Sequence, residues 1–217
     1  MQDFEDKSNK KGYRFLKVAG DIFVLNLEFI LVSVLSLTIL FFPSLFALVN
    51  LLKSEKESYI NPFKDYFLLI KKYMKLGIKY WICFIPIYLV LSYLIYLDYQ
   101  LIKGNENIML AWLSLIICFG IVIALTSSII ELPLYITYFD NDKAFDSFQK
   151  ASLIARKKFL LIISSWMIIL SFAFIFYMFF PLIFFFGVAL MIYLIVLMSS
   201  RVYETLEREE KDRIKNN

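Results

Sequence analysis

The chain holds twenty-three Lys and Arg residues, and twenty-two of them fall in four segments, 1–21, 53–79, 140–158 and 200–217. Long apolar runs separate those segments. The remaining basic residue, Lys103, stands in the short polar stretch 98–107. No other feature constrains the fold as tightly. Basic clusters that flank apolar runs are the topology signal of a polytopic membrane protein, and they collect on the cytoplasmic side.

The apolar runs are 22–52, 76–97, 108–139 and 159–200. Crossing a hydrocarbon core takes about 17–25 apolar residues. Stretches 159–180 and 182–199 each have that length and contain no charge. The first and last runs are too long for single crossings. The 31 residues of 22–52 would extend about 46 Å as one helix, against about 30 Å of hydrocarbon. Pro43 and Pro181 fall where each run has to turn, since proline removes a backbone donor and disfavours helix in the residue before it. The expectation is an all-α transmembrane helix bundle, one integral membrane domain over 1–217, with about six passes arranged as hairpins. The first hairpin is cramped: its first helix begins near Phe15 and its second arm is short.

Charge selects six passes over five. If 22–52 crossed once, the seven lysines of 53–79 would face away from the five basic residues of 1–21. With two hairpins, all four basic segments lie in the cytoplasm, both termini included, 1–21 as a leading segment and 200–217 as a charged tail. Only the turns near 38–43, 98–107 and Pro181 emerge outside. The polar first twenty residues show no short apolar region followed by a small-residue cleavage site, so no cleaved signal peptide is expected. The net charge of +4 belongs to these flanking clusters and points to anionic lipid rather than nucleic acid. Cys83 and Cys118 both lie in apolar runs and are expected to be reduced, buried thiols.

Two cytoplasmic segments are amphipathic. Asn61-Pro62 is a helix start, with Asn as N-cap and Pro at the first helical position. Phe63, Tyr66, Phe67, Ile70 and Met74 follow at helical spacing, with Lys64, Lys71, Lys72 and Lys75 between them. The second segment opens with Asp140-Asn141-Asp142, sets Phe145, Phe148, Ala151, Ala155 and Phe159 along one stripe, and closes with Arg156-Lys157-Lys158. Two readings apply to each segment: a helix lying on lipid, or a docking surface with Phe63, Tyr66, Phe67, Phe145 and Phe148 as anchors for a partner.

Inside the apolar runs, Glu28 and Glu131 stand out, because an ionisable group at membrane depth is costly and often marks function. Asn26 is two residues from Glu28, and Pro133 follows Glu131. Asn26, Glu28 and Glu131 are therefore a candidate intramembrane polar site; the alternative is interfacial placement or a structural hydrogen bond. Lys79 is expected to snorkel from the start of its helix. The chain has no His, which removes the usual general base and the commonest metal ligand. It has no G-x-x-x-x-G-K-[ST] or G-x-S-x-G motif. Its six glycines are scattered. No catalytic residue, cofactor or metal is expected.

Several short motifs carry a resemblance. They are Asn26, Thr38-Ile39, Pro43, Ala47-Leu48, Phe63-Lys64-Asp65-Tyr66-Phe67, Leu132-Pro133, and Ala144-Phe145 with Ala151 and Arg156-Lys157-Lys158. Together they resemble the YesL-like family of small bacterial integral membrane proteins over nearly the whole chain. Leu40-Phe41-Phe42 depart from the family pattern, which follows Thr-Ile almost directly with a small residue and Pro. The resemblance implies no catalytic residues. It implies a bacterial cell-membrane protein, accessory to or regulating ABC-type carbohydrate uptake, with the permease or ATPase subunits of a sugar importer as partners. The alternative is a transporter or permease subunit in its own right. An ABC permease coupling loop would place Gly where Arg156 stands.

Overall fold

The computed structural model describes residues 2–54, 61–104, 108–139 and 144–215, with side chains over 16–54, 61–104, 108–139 and 144–209. The described residues are almost entirely helical and include no strand. Among the described residues, seven α-helices follow one another: α1 (Gln2–Leu35), α2 (Phe41–Ser54), α3 (Pro62–Lys103), α4 (Ile108–Phe139), α5 (Ala144–Lys157), α6 (Phe159–Met178) and α7 (Val188–Lys215), with a π-helical turn, Ile183–Gly187, before α7. Five stretches are long and apolar enough to cross a membrane: Leu16–Leu35, Pro62–Lys103, Ile108–Phe139, Phe159–Met178 and Ile183–Glu209. The described residues are thus helical, with five candidate spans and one short apolar helix. That short helix, α2, has 14 residues and reaches about 21 Å.

Local chemistry explains several boundaries. Asn61 caps α3, its side chain accepting from the Lys64 N–H at 3.4 Å, and Pro62 takes the first helical position. The Asp65 carboxylate accepts from the Asn61 N–H at 2.9 Å, closing the cap from the other side. The last apolar run breaks between α6 and α7 around Pro181, as proline there predicts. The first run reverses over residues 36–40, where Leu37 (φ 50°) and Thr38 (φ 69°) are left-handed. The reversal brings Phe29 of α1 against Phe41 of α2, ring centroids 5.7 Å apart. A β-branched residue is strained in that region. Thr38 Oγ1 accepts from the Trp81 indole N–H at 3.5 Å.

The structure corrects several expectations. First, 61–75 is not a separate helix lying on lipid, because it runs unbroken into the apolar stretch as the first part of the 42-residue α3. Its buried stripe is Tyr66, Ile70, Tyr73, Gly77, Tyr80 and Phe84, and α2 covers part of it. Pro43 sits against Gly77 so closely that a Cβ there would come within 2.3 Å of the proline ring. Second, Cys83 is exposed, although Cys118 is buried. Lys79 lies within α3 rather than at a helix start. Third, the α1–α2 turn meets α3 at Trp81. Twenty-two further residues separate Trp81 from Lys103, about 33 Å of helix. The turns after α1 and after α3, both expected to emerge outside, are therefore offset along α3 by about one hydrocarbon thickness.

Candidate functional site

Asn26 is fully buried. Its side-chain amide donates to the Ile183 and Phe184 carbonyls, both at 2.8 Å, and its Oδ1 accepts the Ala189 N–H at 3.1 Å. The amide thus stands in for a missing rung of the backbone ladder at the π-helical turn. In an apolar medium every backbone polar group needs an internal partner, and a π-turn diverts several of them. These bonds satisfy every donor and acceptor direction expected of a buried amide but one lone pair. Asn26 thus fastens α1 to the start of α7.

Glu131 of α4 is also fully buried. Its Oε2 accepts from the Tyr203 hydroxyl of α7 at 2.5 Å, while Oε1 has no hydrogen-bond partner among the described residues. Tyr203 stacks on Tyr138 with ring centroids 5.1 Å apart. The Lys53 ammonium lies over the other ring of this stack, 3.7 Å from the Tyr138 centroid, and donates to the Thr137 carbonyl at 3.4 Å. A carboxylate, two phenols and an ammonium are thus linked in series by a hydrogen bond, a ring stack and a cation–π contact. Sequence reasoning assigned 200–217 to a charged tail and missed Tyr203. The signal was available: Ile192, Val196, Ser199 and Tyr203 are buried at helical spacing, which carries the core stripe past the apolar run.

Glu28 is 5% exposed, and neither carboxylate oxygen has a hydrogen-bond partner among the described residues. It lies within electrostatic range of Tyr66. The Tyr66 hydroxyl donates to the Ser44 carbonyl at 3.5 Å. Asn26 and Glu28 are two residues apart, hence about 200° around α1, and they address different neighbours. Ala189, which Asn26 holds, and Tyr203, which Glu131 holds, are fourteen residues apart on α7, about 21 Å. The three residues grouped as one site are therefore not one site. Asn26 is a structural fastener, and Glu131 belongs to a separate pair with Tyr203.

The expected docking residues divide. Phe63 and Phe67 are exposed on α3, and Phe145 of α5 is 81% exposed. Tyr66 is fully buried under α2 and is not available to a partner. Phe148 is half-buried, its ring 5.3 Å from Phe84. Phe145 and Phe148 line an apolar groove of about 420 Å³ together with residues 79–87 of α3. The Tyr80 hydroxyl donates to the Ala144 carbonyl at 2.6 Å and fixes the groove's end. The stretch Asp140-Asn141-Asp142 lies outside the described residues. Among the described residues, no group of three or more His, Cys, Asp or Glu could hold a metal ion.

The chain matches no protein-family model, no curated protein and no solved structure. The resemblance to the YesL-like family therefore stands on the short motifs alone.

Proposed function

We propose that this protein is a non-enzymatic accessory or regulatory component of the bacterial cell membrane that docks on the permease or ATPase subunit of an ABC-type carbohydrate importer. The carbohydrate link comes from the family resemblance. The docking reading is supported above all by Phe145, a large apolar side chain left 81% exposed at the rim of the α3–α5 groove. That position follows a charged segment rather than lying in a candidate span, and an exposed aromatic beside an apolar groove is the usual anchor geometry of a helix-in-groove contact. The chain threads as three hairpins, α1–α2, α3–α4 and α6–α7, which return every basic cluster to the cytoplasmic face. The first hairpin is shallower than the others, in keeping with the short α2 and the turn beside Trp81.

A second reading, a transporter in its own right, is favoured by Glu28, whose carboxylate is buried without a hydrogen-bond partner among the described residues. One experiment separates the two. Affinity purification in mild detergent after in-cell crosslinking should recover importer subunits, and Phe145→Ala with Phe148→Ala should cut recovery at least severalfold without lowering membrane insertion. Recovery of no importer subunit, together with normal sugar uptake in a deletion strain, sinks the accessory reading. Sugar flux into vesicles holding this chain alone establishes the transporter instead.

A further inference from the structure

A second and larger groove runs between α4, α5 and α6. It has a volume of about 820 Å³, within the roughly 300–1,000 Å³ usual for ligand sites, and residues 120–128, 148–156 and 159–170 contribute its walls. Its walls are apolar for most of their length, including Ala124, Ile163, Met167 and Leu170. The polar atoms on the α4 wall are already engaged. The Trp166 indole N–H donates to Ser127 Oγ at 3.0 Å, Ser127 donates to the Ile123 carbonyl at 2.7 Å, and Ser128 donates to the Ala124 carbonyl at 2.9 Å. The α4 wall therefore offers little to a sugar or a polar peptide and suits a hydrocarbon chain.

The groove's mouth has the opposite character. Arg156 is the one charged residue on its wall. Lys157 and Lys158 follow it, all three exposed, at the break where α5 gives way to α6. Phe159 begins a candidate span, so this basic triplet stands where hydrocarbon meets the headgroup layer. Basic pockets beside apolar clefts at that depth are the recognition pattern for acidic lipid headgroups.

We propose that this groove binds one anionic phospholipid, its acyl chain along α4 and α6 and its phosphate against Arg156, Lys157 and Lys158. The site rests on the membrane reading but not on the importer partner. Charge complementarity at the mouth selects an acidic lipid, and the uncharged apolar length selects a chain-bearing molecule over free phosphate.

The test is native mass spectrometry of the full chain released from detergent micelles, titrated with dioleoylphosphatidylglycerol or dioleoylphosphatidylcholine. The expected result is one phosphatidylglycerol retained per chain in preference to phosphatidylcholine, with soluble glycerol phosphate unable to displace it. Arg156→Gln with Lys157→Gln and Lys158→Gln should weaken phosphatidylglycerol binding about tenfold and erase the preference. Gly120→Trp should weaken both lipids by filling the apolar length, because an added Cβ at Gly120 meets nothing within 4 Å and the backbone tolerates a side chain. Ala124→Phe serves the same purpose if the Trp variant is not monodisperse. Equal retention of the two lipids by the unaltered chain overturns the proposal. So does unchanged phosphatidylglycerol binding in the groove-filling variants, or a dimer whose copies bury the groove. Membrane retention through a carbonate wash, scored in parallel, separates failure of this site from failure of the membrane reading.

Discussion

The two ends of α3 differ in how much protein covers them. Between Tyr66 and Phe84, the stripe Tyr66, Ile70, Tyr73, Gly77, Tyr80 and Phe84 is buried, and Lys71, Lys72, Lys75 and Lys79 are exposed beside Phe67, Leu68 and Met74. Beyond residue 85, Leu91 and Asp98 alone are buried, while Ile87, Val90, Leu94, Leu97 and Leu101 face outward. α4 repeats the contrast in reverse: residues 127–138 hold most of its buried positions, and Ala111 and Cys118 are its two buried residues before them. One end contributes a buried stripe to the protein core and carries lysines among its exposed residues. The other end turns mostly apolar side chains outward and is covered by little protein. Such a surface is stable only in an apolar medium, so the α3–α4 tip supports the membrane reading more directly than the bundle end does.

The comparison makes unequal demands on substitutions at the two ends. The largest loss is expected for Asn26→Leu. It leaves two carbonyls and one N–H of the π-helical turn unpaired, on the order of 1–3 kcal/mol for each group, and thermal melts in mild detergent should fall accordingly. Phe46→Ala comes next. Phe46 is fully buried and touches the rings of Phe42, Tyr73 and Tyr80, so truncation should cost about 3–5 kcal/mol. Phe119→Ala, at a site 48% exposed on the tip-side half of α4, should cost about 0.5 kcal/mol or less. Similar losses at Phe46 and Phe119 would break the contrast between core and tip. The glycines sharpen it further. Gly77→Ala drives a Cβ into Pro43 and should cost about 1–3 kcal/mol. Gly120→Ala meets open space and should be neutral, or stabilising by up to about 1 kcal/mol through helix propensity.

How much of this was legible depended on whether the determining interaction was local. The start of α3 was legible because Asn61, Pro62 and Asp65 make the cap among themselves. The break near Pro181 was legible because proline acts on its own neighbours. The buried face of 61–75 was not. Phe63, Phe67 and Met74 are as apolar as Tyr66 and Ile70, and only the position of α2 decides that the latter face inward. Gly77 looked like one of six scattered glycines until Pro43 was seen against it. Asn26 was visible as a polar residue in an apolar run, but its purpose depends on a π-helical turn 157 residues away in sequence, which has no signature of its own. Glu131 was found without its partner, because Tyr203 sits among charges that disguise the continuation of the core stripe.

The central claim is that the basic clusters share one face, the cytoplasm, whatever the depth of the first hairpin. After Cys83→Ala and Cys118→Ala, single cysteines at Ser58 and Asn105 can be challenged in intact cells with an impermeant maleimide. The account predicts labelling at Asn105, beyond the α3–α4 tip, and none at Ser58 until the membrane is permeabilised. Labelling at Ser58 from outside would contradict it.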